Sequence, residues 1–254
     1  MMKVHHEIKK WLSLFITLAM LFGLSGLISA NAAETNSQFA IPEGVIPATP
    51  EEFEAYWNSL SEEEKAFIAE KEAASAQLAE QVENQPATRA ASKISIPGSF
   101  TIYKQEKCNY CVPACLKSVI QYLNGSSPSQ SSIASALYLK PEDKGVKAYR
   151  IKPYLDSKVD YTYVWTMDPS TTQIRDHLYY AVVSQDVPGL MTVCDMGEGV
   201  WKYQTEGHCV VVNAVYSDKS RIQVADPLGG SNGRPTFFEI KTDVLESICM
   251  DIFW

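Results

Sequence analysis

Three cysteines fall within eight positions of "KQEKCNYCVPACLKSV", at Cys108, Cys111 and Cys115. Thiols at this spacing suit three chemistries: a disulfide staple, a metal knuckle or a nucleophile. The local backbone separates them. Val112, Cys115, Leu116, Val119, Ile120 and Leu123 recur at helical spacing, and Pro113 fits only a first turn. Cys111 then stands at the mouth of a helix over 111–123, where free backbone N–H groups favour a thiolate. Cys115, one turn further in, belongs to the apolar face and is expected in the core. Cys108 lies in the loop before the helix and is the most open to oxidation.

A nucleophilic thiol needs a base, and two histidines, His177 and His208, follow the first 33 residues. His177 sits in the helical pattern "TTQIRDHLYYAVV" and is expected on a helix surface. His208 opens "HCVVVNAVY", the most β-prone run of the chain, so it can face a helix N-terminus from the head of a central strand. Asp226 ends the next strand, "RIQVADP", where a carboxylate can orient an imidazole and stabilise its cation. A two-residue turn at Asp218 and Lys219 would pair Asp226 with Val211, on the face opposite His208. A shared face therefore predicts an irregular hairpin near 217–220.

Helical patterns over 111–123, 129–139, 146–157 and 170–183 precede four strand-like runs, "GLMTVCD", "HCVVVNAVY", "RIQVADP" and "TFFEI". This order predicts an α+β domain over 100–254, with helices packed on an antiparallel sheet. Before it, Thr49 with Glu52 and Ser61 with Glu64 form two capping boxes, so two helices joined at Ser61 are expected. Their apolar stripes, Phe53, Trp57 and Leu60, then Phe67, Ile68, Leu78 and Val82, are too narrow for a core of their own. Residues 33–99 thus read either as a solvated spacer or as a pro-segment that docks on the domain and blocks it. "PATRAASKISIPGS", 86 to 99, has a linker's composition, with Arg89 and Lys93 open to a trypsin-like cut.

Residues 1–32 carry Lys3, Lys9 and Lys10, then "WLSLFITLAMLFGLSGLI", then Ala30 and Ala32 at the small positions of a cleavage site. This is the pattern of a signal peptide, with an uncleaved anchor as the alternative; cleavage would leave a secreted, extracellular protein with no membrane attachment. A net charge of −8 with no basic cluster beyond the N-terminus excludes a nucleic-acid partner. Six cysteines in 254 residues are too sparse for a disulfide scaffold, so the fold must rest on its core.

"Q-x5-C-V-P-A-C-L", followed by "G-H-C-V-V-V" and "V-A-D-P", resembles the papain-fold cysteine peptidases of the bacteriocin-processing, double-glycine-leader type and their secreted bacterial relatives, over about 105–230. The resemblance implies a papain-like fold and a peptide or protein substrate, with no cofactor. It implies Cys111 as nucleophile, His208 as base and Asp226 as its orienting partner. It also implies that the Gln105 amide, with the Cys111 N–H, forms an oxyanion hole, and that Cys108 takes the place of a cysteine often held in a disulfide. Three other readings use the same residues: zinc held by Cys108, Cys111, Cys115 and His208 or Cys209, a disulfide-stapled binding module, and a cell-wall amidase or endopeptidase of related fold.

Overall fold

A computed structural model describes residues 43–84, 90–231 and 233–254; the expected signal peptide and Arg89 lie outside them. The described residues form one compact unit. Its centre is a sheet in the order β4 (Trp165–Met167), β9 (Cys249–Phe253), β5 (Gly189–Asp195), β6 (Thr205–Tyr216), β7 (Arg221–Ala225) and β8 (Phe237–Lys241). These neighbours pair antiparallel, and β2 (Lys93–Ser95) also pairs with β6, beyond the reach of β5. The expected linker therefore ends early: Lys93 is paired with Tyr216, and Ile96 is buried.

Both faces of the sheet are covered, as its near-continuous Val, Ile and Cys runs require. Leu190, Cys209, Val211 and Ala225 share a core with α3 (Cys111–Asn124), α4 (Gln130–Ala136) and α5 (Ile151–Asp156). Met191, Val193, Val210, Val212 and Val224 share another with α6 (Thr171–Tyr179) and Ile68 of α2 (Glu62–Glu83). The helix expected over 146–157 is shorter, because Val146 and Lys147 form β3, paired in parallel with β1 (Val45–Ile46).

The helices ahead of the sheet start where their caps predict. Thr49 and Glu52 close a capping box on α1 (Pro50–Ser59), and Ser61 and Glu64 close another on α2. Their packed stripes match the expectation at Phe53, Leu60, Ile68, Leu78 and Val82 and differ from it at Trp57 and Phe67. In α1 it is Tyr56, beside Phe53, that packs on Trp165, each ring at 5.0 Å, while Trp57 points outward. In α2 the buried residues are Ile68, Lys71, Ser75 and Ala79, with Phe67 exposed.

A lysine can occupy that stripe because its stem is apolar and its head finds partners. Lys71 Nζ donates to the Tyr161 hydroxyl and the Thr162 carbonyl at 2.8 and 3.0 Å, beneath the Tyr161 ring. His177 is likewise buried rather than on a surface, stacked on Trp254 at 4.0 Å between centroids. Among the described residues no helix is long and apolar enough to cross a membrane.

Candidate active site

Cys111 is the first residue of α3, with Tyr110 as an N-cap that offers no side-chain bond. The helix start follows from Pro113 in its first turn and the apolar face beneath it. The backbone N–H of Cys209 donates to Cys111 Sγ at 3.3 Å, and the Cys115 thiol, one turn on, donates to the Cys209 carbonyl at 3.2 Å. Helix and strand are thus joined through sulfur at both backbone groups of one residue, Cys209. Burial pushes the Cys115 thiol well above its usual pKa, which makes it an inert core residue.

His208 lies not at the head of its strand but four positions in, because β6 begins at Thr205. Its Nε2 is 2.8 Å from Asp226 Oδ1, and both residues are almost fully buried. The common face comes from a bulge. Val215 faces Ile222 and Ala214 faces Gln223, but beyond Asn213 the register slips by one, so Val212 faces Val224 and Val211 faces Ala225. Asp226 therefore falls across from Val210, on the face of His208. The irregularity expected at 217–220 is at Asn213 instead.

Burial alone would lower the His208 pKa. The charge and hydrogen bond of Asp226, with a contribution from the Cys111 thiol, outweigh it and hold the imidazole up to about 10. Burial would raise the Asp226 carboxyl, but the His208 cation, then hydrogen bonds from His208, Tyr203 and the Leu228 N–H, keep it below the usual carboxylate range. A thiol beside a charged imidazole that is itself held by a buried carboxylate is an arrangement for nucleophilic attack.

Gln105 sits in the approach loop, anchored by its own N–H on the Pro227 carbonyl at 2.9 Å. Its side-chain NH2 group gives both hydrogens to the carbonyls of Lys107 and Cys108, at 2.9 and 2.8 Å, and its Oε1 is buried without a partner. In this arrangement neither hydrogen is free for an oxyanion. The loop is held in turn by Gln130 of α4, a buried side chain that sequence reasoning missed; it bonds the Lys104 carbonyl and the Glu106 N–H.

The six cysteines are all free thiols, Cys108 at the surface. Among the described residues no three His, Cys, Asp or Glu side chains converge as a metal site requires. The connection between β5 and β6 is pinned: Asp195 accepts the N–H groups of Gly197, Glu198, Gly199 and Trp201, and Trp201 is buried.

One segment from before α1 reaches the thiol. Glu43 bridges to Gly207, and Val146 N–H donates to the Gly44 carbonyl at 3.0 Å. A methyl group on Gly44 would overlap the Cys111 sulfur; one on Gly145 would overlap the Gly44 carbonyl, and one on Gly207 the Val45 carbonyl. Residues 43–46 therefore run between two glycine-lined walls directly over Cys111. Only chain lacking a Cβ at these three points packs so closely.

Helices packed on an antiparallel sheet, with a thiol at a helix N-terminus meeting an imidazole on a central strand, define the class: a cysteine peptidase of papain-like fold. The chain belongs to the Peptidase_C39-like family, whose model matches residues 98–240. Two solved structures are similar, and the first of them supports the fold. Xylellain, a cysteine protease from Xylella fastidiosa, is 12% identical with a TM-score of 0.50, covering 87% of this chain and 98% of its own. The peptidase domain of Streptococcus ComA, a bifunctional ABC transporter of a quorum-sensing pathway, is 16% identical with a TM-score of 0.44, covering 61% and 97%. No curated protein matches the chain.

Proposed function

We propose that this peptidase cleaves peptide bonds with Cys111 as nucleophile, His208 as proton carrier and Asp226 as the carboxylate that orients it. The observation that carries the reading is the buried His208–Asp226 pair beside a thiol at a helix N-terminus. The thiolate attacks the carbonyl carbon of the substrate amide. The imidazolium then protonates the departing amine, leaving a thioester on Cys111. Water gives a proton to the neutral imidazole as it attacks the thioester, which releases the acid and restores the ion pair. The Cys111 N–H stabilises the oxyanion, joined by Gln105 once substrate draws its amide away from a loop carbonyl. No cofactor takes part.

The protein as described is latent in this reading. Residues 43–46 occupy the space over Cys111 that a substrate chain must enter, and α1 and α2 hold them there as a pro-segment. Export rests on the signal-like pattern of residues 1–32 and is tested by the N-terminal sequence of protein recovered from medium.

The test of the chemistry is turnover of a peptide library, before and after limited proteolysis of the N-terminal segment. Cys111→Ala abolishes turnover, while Cys108→Ala and Cys115→Ala keep it. Turnover that survives Cys111→Ala overturns the assignment.

A further inference from the structure

We infer that Tyr203 is a positioning residue for the Asp226–His208 pair, fixing which carboxylate oxygen is left for the imidazole. The inference rests on the proposed roles of His208 and Asp226.

Asp226 is buried in a place where water cannot supply its hydrogen bonds. Its Oδ1 receives His208 Nε2 and the Leu228 N–H, each at 2.8 Å, which leaves Oδ2 to be satisfied. The Tyr203 hydroxyl donates to Oδ2 at 2.5 Å. With both oxygens engaged, rotation of the carboxylate breaks a bond at each end, so the imidazole has one orientation and one nitrogen left for the thiol. Burial, then the charge of Asp226, raises the phenol pKa, so the hydroxyl remains a donor wherever the peptidase is folded.

The ring is placed as well as the hydroxyl. It meets the His208 ring edge-on at 5.9 Å, and the Arg234 guanidinium covers it at 4.5 Å. Tyr203 arrives there because Asp195, by accepting four backbone N–H groups, folds the strand connection back toward β6. The other titratable groups around the pair are Cys111 and Cys115 from α3 and Cys209 on β6 itself.

The experiment is histidine titration by 15N NMR on the full chain, which needs no substrate. In the unsubstituted protein His208 stays protonated through neutrality and titrates near 10. In Tyr203→Phe its acid dissociation constant falls about tenfold, since the carboxylate no longer shares its charge with the phenol hydrogen and holds the imidazolium more tightly. The alkaline limb of kcat/KM on activated enzyme moves to higher pH with it, and the melting temperature falls by several degrees. An unshifted His208 in Tyr203→Phe, with a collapsed value in Asp226→Asn, overturns the role of Tyr203 and leaves Asp226 intact. A His208 that titrates near 6.5 in the unsubstituted protein removes the Asp226 reading itself.

A second measurement guards against a variant that fails to fold. The Tyr203 hydroxyl proton of the unsubstituted protein gives a slowly exchanging downfield resonance with a cross-peak to the His208 ring. Its absence overturns the proposal.

Discussion

Gly44 packs against the Cys111 sulfur with no room for a methyl group, so one residue decides whether the thiol is covered. Gly44→Val forces the segment out of the cleft, and alkylation of Cys111 by iodoacetamide, followed by peptide mass mapping, becomes at least several-fold faster. An unchanged rate means that the segment does not shield the thiol in solution. Gln105→Ala, in activated protein, lowers kcat by about a hundredfold, the cost of one oxyanion donor, while Cys111 alkylates at its former rate. Equal loss in both assays assigns Gln105 to holding the loop. At this scale Cys111, His208 and Asp226 could be picked out as candidates because few residue types do such chemistry and each borders a periodic run in the sequence. Gln130 and Tyr203 were not, because their partners are 24 and 23 residues away in sequence and no local pattern links them.

At the scale of elements, the extra residue in β6 decides which way Asp226 faces. Deleting Asn213 restores the even register, sends Asp226 to the opposite face of the sheet, and lowers kcat/KM to the level of Asp226→Ala. Activity equal to the parent would show that the bulge is incidental. Helix α6 carries a different consequence. Burial, then the charge of Lys71, lowers His177 to about 4, below its unfolded value near 6.5. The folded state prefers this histidine neutral, so the associated stability is full above about 6.5 and is lost as pH falls toward 4. The loss is about 2–3 kcal/mol. Chemical denaturation across that range measures it, and His177→Gln flattens the dependence. His208 has the opposite sign: its raised value contributes stability below about 6.5 that is lost as pH rises through 10. Capped helices and long Val-rich strands were readable because caps and periodicity are local. The short strands β4 and β9 were not, since five residues such as "CMDIF" pair only because β5 lies alongside.

For the whole molecule, the segment over the thiol is tethered to two helices docked on the peptidase body, so docking raises its effective concentration in the cleft. Removing the anchors Phe53 and Lys71 together, as Phe53→Ala with Lys71→Ala, increases Cys111 alkylation several-fold although neither residue touches Cys111. No increase would mean that residues 43–46 hold by their own backbone bonds alone. The sequence by itself determined that a thiol would head a helix, that an imidazole and a carboxylate would sit on neighbouring strands, and that the architecture would be α+β. Spacing and composition carry those facts, because caps, amphipathic period and strand alternation act over a few residues. Only the tertiary structure decided that Asn213 turns Asp226 toward His208, that Tyr203 holds the far side of that carboxylate, and that Gly44 lies over the sulfur. Each depends on chain segments distant in sequence meeting at close-packed contact, where one residue of register or one methyl group changes the outcome.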